Sequence, residues 1–294
     1  LGLDEPSATG SRLGLTARKT CAVLKSLCGL RLSPGGLVQA AHRMAQRLEP
    51  RHQQIEQAVR TADHIHADET SWWVGGRGWW LWVFANQDHT LYRVRPGRGR
   101  DVVHETLGAD FPGVLVSDCL NVYDDATPVQ HKCYAHHLKA ISQAIERCPQ
   151  DGAGLLRQIE GLLRLAMTLK SLWPELSDQE KQAARASLTG QAAVLLRAPP
   201  AHPEQAAIQK RLIKQEDHLF TFLDHAPVGA TNNLAERQLR PAVIARKLSC
   251  GNRTARGART WEVLASLASS ATQSRKAFLD IVAKAATLCP SAAR

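Results

Sequence analysis

The chain has 294 residues, 44% of them hydrophobic and 22% charged, which allows one large domain or two ordinary ones and argues against wholesale disorder. The 37 Lys and Arg outnumber the 27 Asp and Glu and leave a net charge of +10, so a polyanionic partner is favoured, nucleic acid or an anionic membrane surface. No apolar run approaches the roughly 18 residues of a spanning helix, and no charged start leads into an apolar stretch like a signal peptide, which weakens the membrane reading. The seven Cys are an odd number without any C-x-x-C pair. They do not read as a disulfide framework, and a reducing cytoplasm is expected.

In chain order, residues 1–10 read as a frayed end. From Thr16 to Cys28 apolar residues recur at helical spacing (Ala17, Val23, Leu24, Leu27), and Gly29 breaks the pattern. Ser33-Pro34 reads as an N-cap followed by Pro in the first turn, opening a second helix through about Leu48. Two short helices around a Gly-containing turn fit part of a helix-turn-helix or an ordinary helical pair. Segments 64–74, 79–86 and 90–95 are β-branched or aromatic and divided by turn residues. Gly75-Gly76-Arg77-Gly78 between Trp-rich arms is a hairpin signal. A helix is expected over Asp101–Leu107, a short strand over 113–118, and a helix from Cys133 to Arg147. Residues 151–225, rich in Leu, Ala, Gln and Arg, read as a block of about four helices. Asn232 then caps another helix, and a basic loop leads to a final helix over about 258–286. The fold class expected is α/β: a mixed sheet flanked by helices, interrupted by an all-helical insertion and preceded by a short helical segment.

Two carboxylates stand at strand positions. On period-2 alternation Asp68 shares a face with His64, His66 and Thr70, while Ile65 and Ala67 point the other way. Asp118 closes the strand that carries Val114 and Val116 on its own face. A carboxylate among apolar strand residues costs several kcal/mol of desolvation unless a cation or hydrogen-bond donors compensate it. Glu236 lies on the helix opened by Asn232-Asn233. Taken singly, each has a plain reading: a turn-forming Asp, or a Glu236 paired with Arg240 one helical turn on.

Together they carry a resemblance. Asp68-Glu-Thr, then Val116-Ser-Asp118-Cys-Leu-Asn-Val-Tyr-Asp, then Cys133-Tyr-Ala-His136-His-Leu-Lys, then Asn232-Asn-Leu-Ala-Glu236-Arg-Gln-Leu-Arg-Pro-Ala-Val-Ile-Ala-Arg246-Lys247 resembles the transposases of the insertion sequence 66 family. The likeness runs in the same order over roughly residues 60 to 285. It implies an RNase H-like core with a DDE triad, here Asp68, Asp118 and Glu236, and a helical insertion between the second Asp and the Glu. The domain division it implies is 1–60, a helical segment and possible helix-turn-helix remnant; 61–150, the first part of the core; 151–228, the insertion; and 229–294, the last part of the core. It also implies two Mg2+ (or Mn2+) ions held by the three carboxylates, with Cys133, His136, Asn232 and Asn233 supporting the site. Two displacements at phosphorus, cutting a strand and joining the freed 3′-hydroxyl to a new one, need such ions about 3.5–4 Å apart. Thr231 departs from the family, which often has Asp there. The chain begins with Leu1, and the basic or metal-binding amino-terminal region of the family is not found, so a chain shortened at its front is expected.

Arg93, Arg95, Arg98 and Arg100 form one basic run, and Arg237, Arg240, Arg246, Lys247, Arg253, Arg256 and Arg259 a second, which holds no acid and joins directly onto Glu236. Both are read as DNA contacts. Five of the seven Trp fall between 72 and 82 and are expected mainly to pack across strands, with base stacking as the alternative. Cys133, His136 and His137 lack a fourth ligand at convincing spacing for zinc. The function expected is metal-dependent cleavage and strand transfer of an insertion element by a cytoplasmic, nucleoid-associated enzyme. Its partners would be DNA (element ends and target), further copies of itself and accessory proteins of the same element, with no membrane. The alternatives are a truncated or domesticated DNA-binding relic and an RNase H-like nuclease.

Overall fold

The computed structural model describes residues 15–124, 126–148 and 152–287, so the expected frayed end at residues 1–10 lies outside the described residues. The fold is α/β, a five-stranded mixed sheet with flanking helices. The chain divides into two compact units, one running to Phe111 and resuming at Asn233, the other spanning Pro112–Asn232.

In the first unit, α1 (Ala17–Cys28) starts on a Thr16 cap and ends at Gly29, whose φ of 69° suits a residue without Cβ. The second helix, α2 (Pro34–Arg60), is capped by Ser33 as expected, but it does not stop near Leu48. It continues through Pro50 because one apolar stripe, Leu37, Ala45, Leu48, Ile55 and Val59, is buried along its whole length. That burial outweighs the roughly 3 kcal/mol that an interior Pro costs a helix.

Three strands follow: β1 (His64–Val74), β2 (Arg77–Ala85) and β3 (Thr90–Arg95), paired antiparallel. The Gly75-Gly76 turn, with φ of 60° and 78°, is the two-residue kind that matches strand twist, and it brings Arg77 and Gly78 into β2. Register puts Asp68, Val83 and Tyr92 in one row across the sheet, and Thr70, Leu81 and Val94 in the next. The face bearing Trp72, Val74, Leu81, Val83, Tyr92 and Val94 is covered by Ala235, Leu239 and Ala242 of α9 (Asn233–Ser249).

The expected final helix is in fact two, α10 (Ala255–Gln273) and α11 (Phe278–Thr287), separated where Arg275 takes a left-handed φ of 53°. Glu262, Ser266 and Ser270 of α10 accept hydrogen bonds from the amides of Val94, Tyr92 and Thr90 at 2.5, 2.9 and 2.9 Å. Four helical residues rise about 6 Å and two strand residues about 6.8 Å, so the helix side chains keep step with the strand. They close the free edge of β3 without another strand. Helix α3 (Arg100–Leu107) follows β3 in the chain.

The second unit begins with β4 (Val114–Ser117), which pairs in parallel with β5 (Gln130–Lys132). Helices α4 (Tyr134–Arg147), α5 (Gly154–Leu172), α6 (Asp178–Arg197), α7 (Pro203–Ile213) and the one-turn α8 (Thr221–Asp224) follow. Val114 and Val116 of β4 share one apolar core with Tyr134, Ile141, Leu156, Ile159, Leu188, Leu212 and Phe222. From residue 152 to 225 the described chain contains no strand.

Helix α2 is tied to β3 through charge. Glu56 accepts from the buried Arg93 at 2.7 Å and from His52 at 3.1 Å. The His52 hydrogen bond, helped by Arg93 and opposed by burial, holds the Glu56 carboxyl at about 2, against an ordinary 4.5. A depressed acid stabilises the fold above its unfolded pKa and loses that contribution as pH falls. Glu56→Gln is therefore expected to lower unfolding free energy by about 1–3 kcal/mol at pH 7. In urea titrations the gap to the unmodified chain should close as pH drops from 4.5 to about 2.

Candidate active site

Within the first unit, Asp68 lies on the sheet face that α9 covers, and it is half-buried. Its Oδ1 accepts from the amide of Glu69 at 2.8 Å. The helix is fixed to that face at two levels. The Tyr92 hydroxyl, in the Asp68 row, donates to the Gln238 carbonyl at 2.6 Å. Just past the helix, the Asn252 amide donates to the Trp73 carbonyl at 2.8 Å and its carbonyl accepts from Gly75 at 3.0 Å. Counting back from these ties, Ser249 to Glu236 spans about 20 Å of helix and Trp73 to Asp68 about 17 Å of strand. Ideal rises along a helix parallel to β1 would carry Glu236 to about the level of Asp68.

The flank of the helix agrees. Pro241, Ala245 and Leu248 of α9 line a cavity shared with Trp261, Leu264 and Ala268 of α10, on the β3 side. Glu236, Arg240 and Lys247, spaced i, i+4 and i+11, fall on the opposite flank, towards β1. Glu236 makes no ion pair with Arg240 among the described residues, and its side chain is half-buried.

In the second unit, Asp118 directly follows β4 and is half-buried. Its Oδ1 accepts from the Leu120 amide at 2.9 Å, which fixes the turn after the strand. Beneath this turn lies Lys132, paired with Ser117 in the β4–β5 ladder and only 2% exposed. Its ammonium donates to Ser117 Oγ at 3.2 Å and to Asp124 Oδ1 at 3.2 Å. Burial lowers the Lys132 pKa, and the charges of Asp124 and Asp118 work against that shift. Burial also opposes ionisation of Asp124, yet Lys214 at 2.5 Å, Lys132 and Gln215 together hold its carboxyl below the usual range. Lys132 was not among the residues picked from sequence, because a lone Lys in a short strand has no local signal.

Cys133 is buried and its sulfur accepts from the Asn232 amide at 3.2 Å, while Asn233 opens α9. The His136 amide donates to the Cys133 carbonyl at 3.2 Å in the first turn of α4. His137 is neutral, its pKa pushed down to about 3 by burial and by Arg211. The six described cysteines are all free thiols.

The two basic runs divide. Arg93 is 5% exposed and held by Glu56, and Arg95 is clasped by Glu105 and Glu262 at 2.6 and 2.9 Å, so both are withdrawn from solvent. Arg98 pairs with Glu69 at 2.6 Å. Arg246 bonds to Thr70 Oγ1 at 3.2 Å and to Ser71, and serves to tie α9 to β1. Arg100, Arg237, Arg240, Lys247, Arg253 and Arg256 remain exposed. So do Arg18, Lys19, Lys25, Arg31, Arg43 and Arg51 of the first two helices and their linker, a cationic surface that the sequence reading passed over.

The sequence pattern of the family described as "Transposase IS66 family" matches residues 12–260, and the chain belongs to that family. It is also similar to a Sinorhizobium fredii protein named "Uncharacterized protein y4qI", with 27% identity over 264 residues. That match takes in 72% of this chain and 45% of the relative, so the chain spans less than half of the relative's length. No helix among the described residues is long and apolar enough to cross a membrane.

The Lys132 cluster carries its own test. Lys132→Met should destabilise the fold by about 3–5 kcal/mol, since it leaves the largely buried Asp124 short of a partner. Adding Asp124→Asn should recover part of that loss in a double-mutant cycle by urea unfolding, because the two changes remove opposite charges from one cluster.

Proposed function

We propose that this chain is a DDE transposase that cleaves DNA strands at the ends of an insertion element and transfers them to target DNA, with Asp68, Asp118 and Glu236 as its catalytic carboxylates. The observation that supports the reading is the tie of α9, the helix that carries Glu236, to the sheet face that bears Asp68, through Tyr92 at Gln238 and Asn252 at Trp73. In this reading residues 61–150 and 229–294 form an RNase H-like core around the insertion at 151–228.

The donor set fits a hard divalent cation. All three side chains offer carboxylate oxygens and all are half-buried, which leaves room for water and phosphate oxygens in the remaining positions. Bound Mg2+ or Mn2+, two ions per site, would supply activation of the attacking oxygen and stabilisation of the leaving one. The chain's own residues do the rest. Asp118 is aimed by its turn and sits above the Lys132 ammonium, which offsets its charge. Arg237, Arg240 and Lys247, beside Glu236 on α9, hold the phosphate backbone. Cys133, His136 and Asn232 keep the surrounding turns in place.

The experiment is an incubation of the purified chain with Mg2+ and DNA bearing the element's ends, with products resolved on a gel. Asp118→Asn should abolish nicked and joined products while leaving DNA affinity equal or slightly higher. Arg240→Ala should weaken binding to all sequences and reduce the salt slope by about one charge. Cleavage surviving in Asp118→Asn would contradict the assignment, and nicking without joining by the unmodified chain would favour a nuclease.

A further inference from the structure

Of the five Trp between residues 72 and 82, three are absorbed by packing. Trp72 and Trp82 are 1% and 0% exposed, and Trp79 packs against the core under α9. Trp73 is different. It is 48% exposed, the one aromatic among the exposed large hydrophobic residues described. Its cross-strand partner is Gly78, which has no side chain to cover the indole. Trp80, paired with Ser71, is its diagonal neighbour on the same face. The Arg98 guanidinium lies 4.3 Å above the Trp80 ring and is anchored to Glu69.

The support beneath Trp73 is rigid. The Gly75-Gly76 turn fixes one side, and Asn252 fixes the other through the Trp73 carbonyl, the Gly75 amide and the Trp72 indole N–H, which donates to its Oδ1 at 2.8 Å. Gly251, at φ 80°, passes so close to the Trp73 carbonyl that a Cβ there would collide with it. Arg77 at the turn and Arg253 in the docked loop are exposed and make no ion pair among the described residues. An uncovered indole on a fixed backbone, at the end of a hairpin whose turn and docked loop carry the exposed Arg77 and Arg253, suits a planar anionic ligand. Every nucleotide offers a base π-face for stacking and a phosphate for the cations.

We propose that Trp73, with Trp80 and the Arg98 stacked on it, forms a platform on which an unpaired nucleobase of DNA stacks, while Arg77 and Arg253 hold the adjoining phosphates. The platform rests on the transposase reading and gives it a preference for strand ends or distorted duplex, where a base has left the helix. The ordering cost is reduced because the backbone that carries the indole is already held.

Fluorescence anisotropy of the full chain tests it with two probes: a fully paired duplex and the same duplex carrying one unpaired 2-aminopurine. The unmodified chain should bind the second more tightly and quench its 2-aminopurine emission. Trp73→Ala should weaken the unpaired-base probe by about 5-fold or more and abolish the quenching, with paired-duplex affinity held within about 2-fold. Trp73→Phe should restore most of the binding. Arg77→Ala should weaken both probes alike. Equal loss of both probes in Trp73→Ala, or no loss of either, would overturn the platform while leaving the transposase reading intact. If the unmodified chain bound neither probe, DNA handling itself would be contradicted.

Discussion

The placement of α9 against the sheet is the constraint from which the rest follows. Ala235, Leu239 and Ala242 present a narrow, small-residue stripe, so the helix lies close to β1 and β2. It cannot slide along the strands, because Tyr92 grips Gln238 near one end and Arg246 grips Thr70 and Ser71 near the other. Past the helix, Asn252 extends the hold by bonding to the hairpin backbone. A one-turn slip of about 5.4 Å would break all three ties and move Glu236 by the same distance along the strands.

Charge is partitioned by the same architecture. Several acids of the first unit meet arginines: Glu56 to Arg93, Glu262 to Arg95 and Arg259, Glu69 to Arg98, and Glu49 to Arg259. Among the described residues of this unit, exposed cations outnumber exposed acids. Surface cations with no acid nearby repel one another, and a polyanion relieves that repulsion while releasing its own counterions. The buried pairs make a different contribution. They fix which helix meets which strand, and removing one partner would leave a charge stranded in the interior.

Much of this was legible in the chain. The β1–β2 hairpin followed from Gly75-Gly76 between alternating arms, and Ser33-Pro34 announced the start of α2. The common face of His66, Asp68 and Thr70 followed from alternation and holds in the register. The end of α2 was not legible, because Pro50 is a local signal and the stripe that overrides it is tertiary. The break between α10 and α11 lies in a polar run, Ser274-Arg275-Lys276, that does not interrupt helical periodicity strongly enough to be seen. Arg93 and Arg95 looked like free cations because their partners, Glu56 and Glu262, lie far away in sequence. Lys132 and Asn252 were missed for the same reason: each matters through non-local partners. Glu236 was reached only through the family resemblance, since spacing along one helix could not link it to residues in strands.

The central claim, that Asp68, Asp118 and Glu236 act together on divalent ions, is tested most directly by Mn2+ titration calorimetry on the unmodified chain and on three single variants. The account predicts two ions bound per chain, with Asp68→Asn, Asp118→Asn and Glu236→Gln each losing at least one. Unchanged Mn2+ stoichiometry and affinity in all three variants would contradict it.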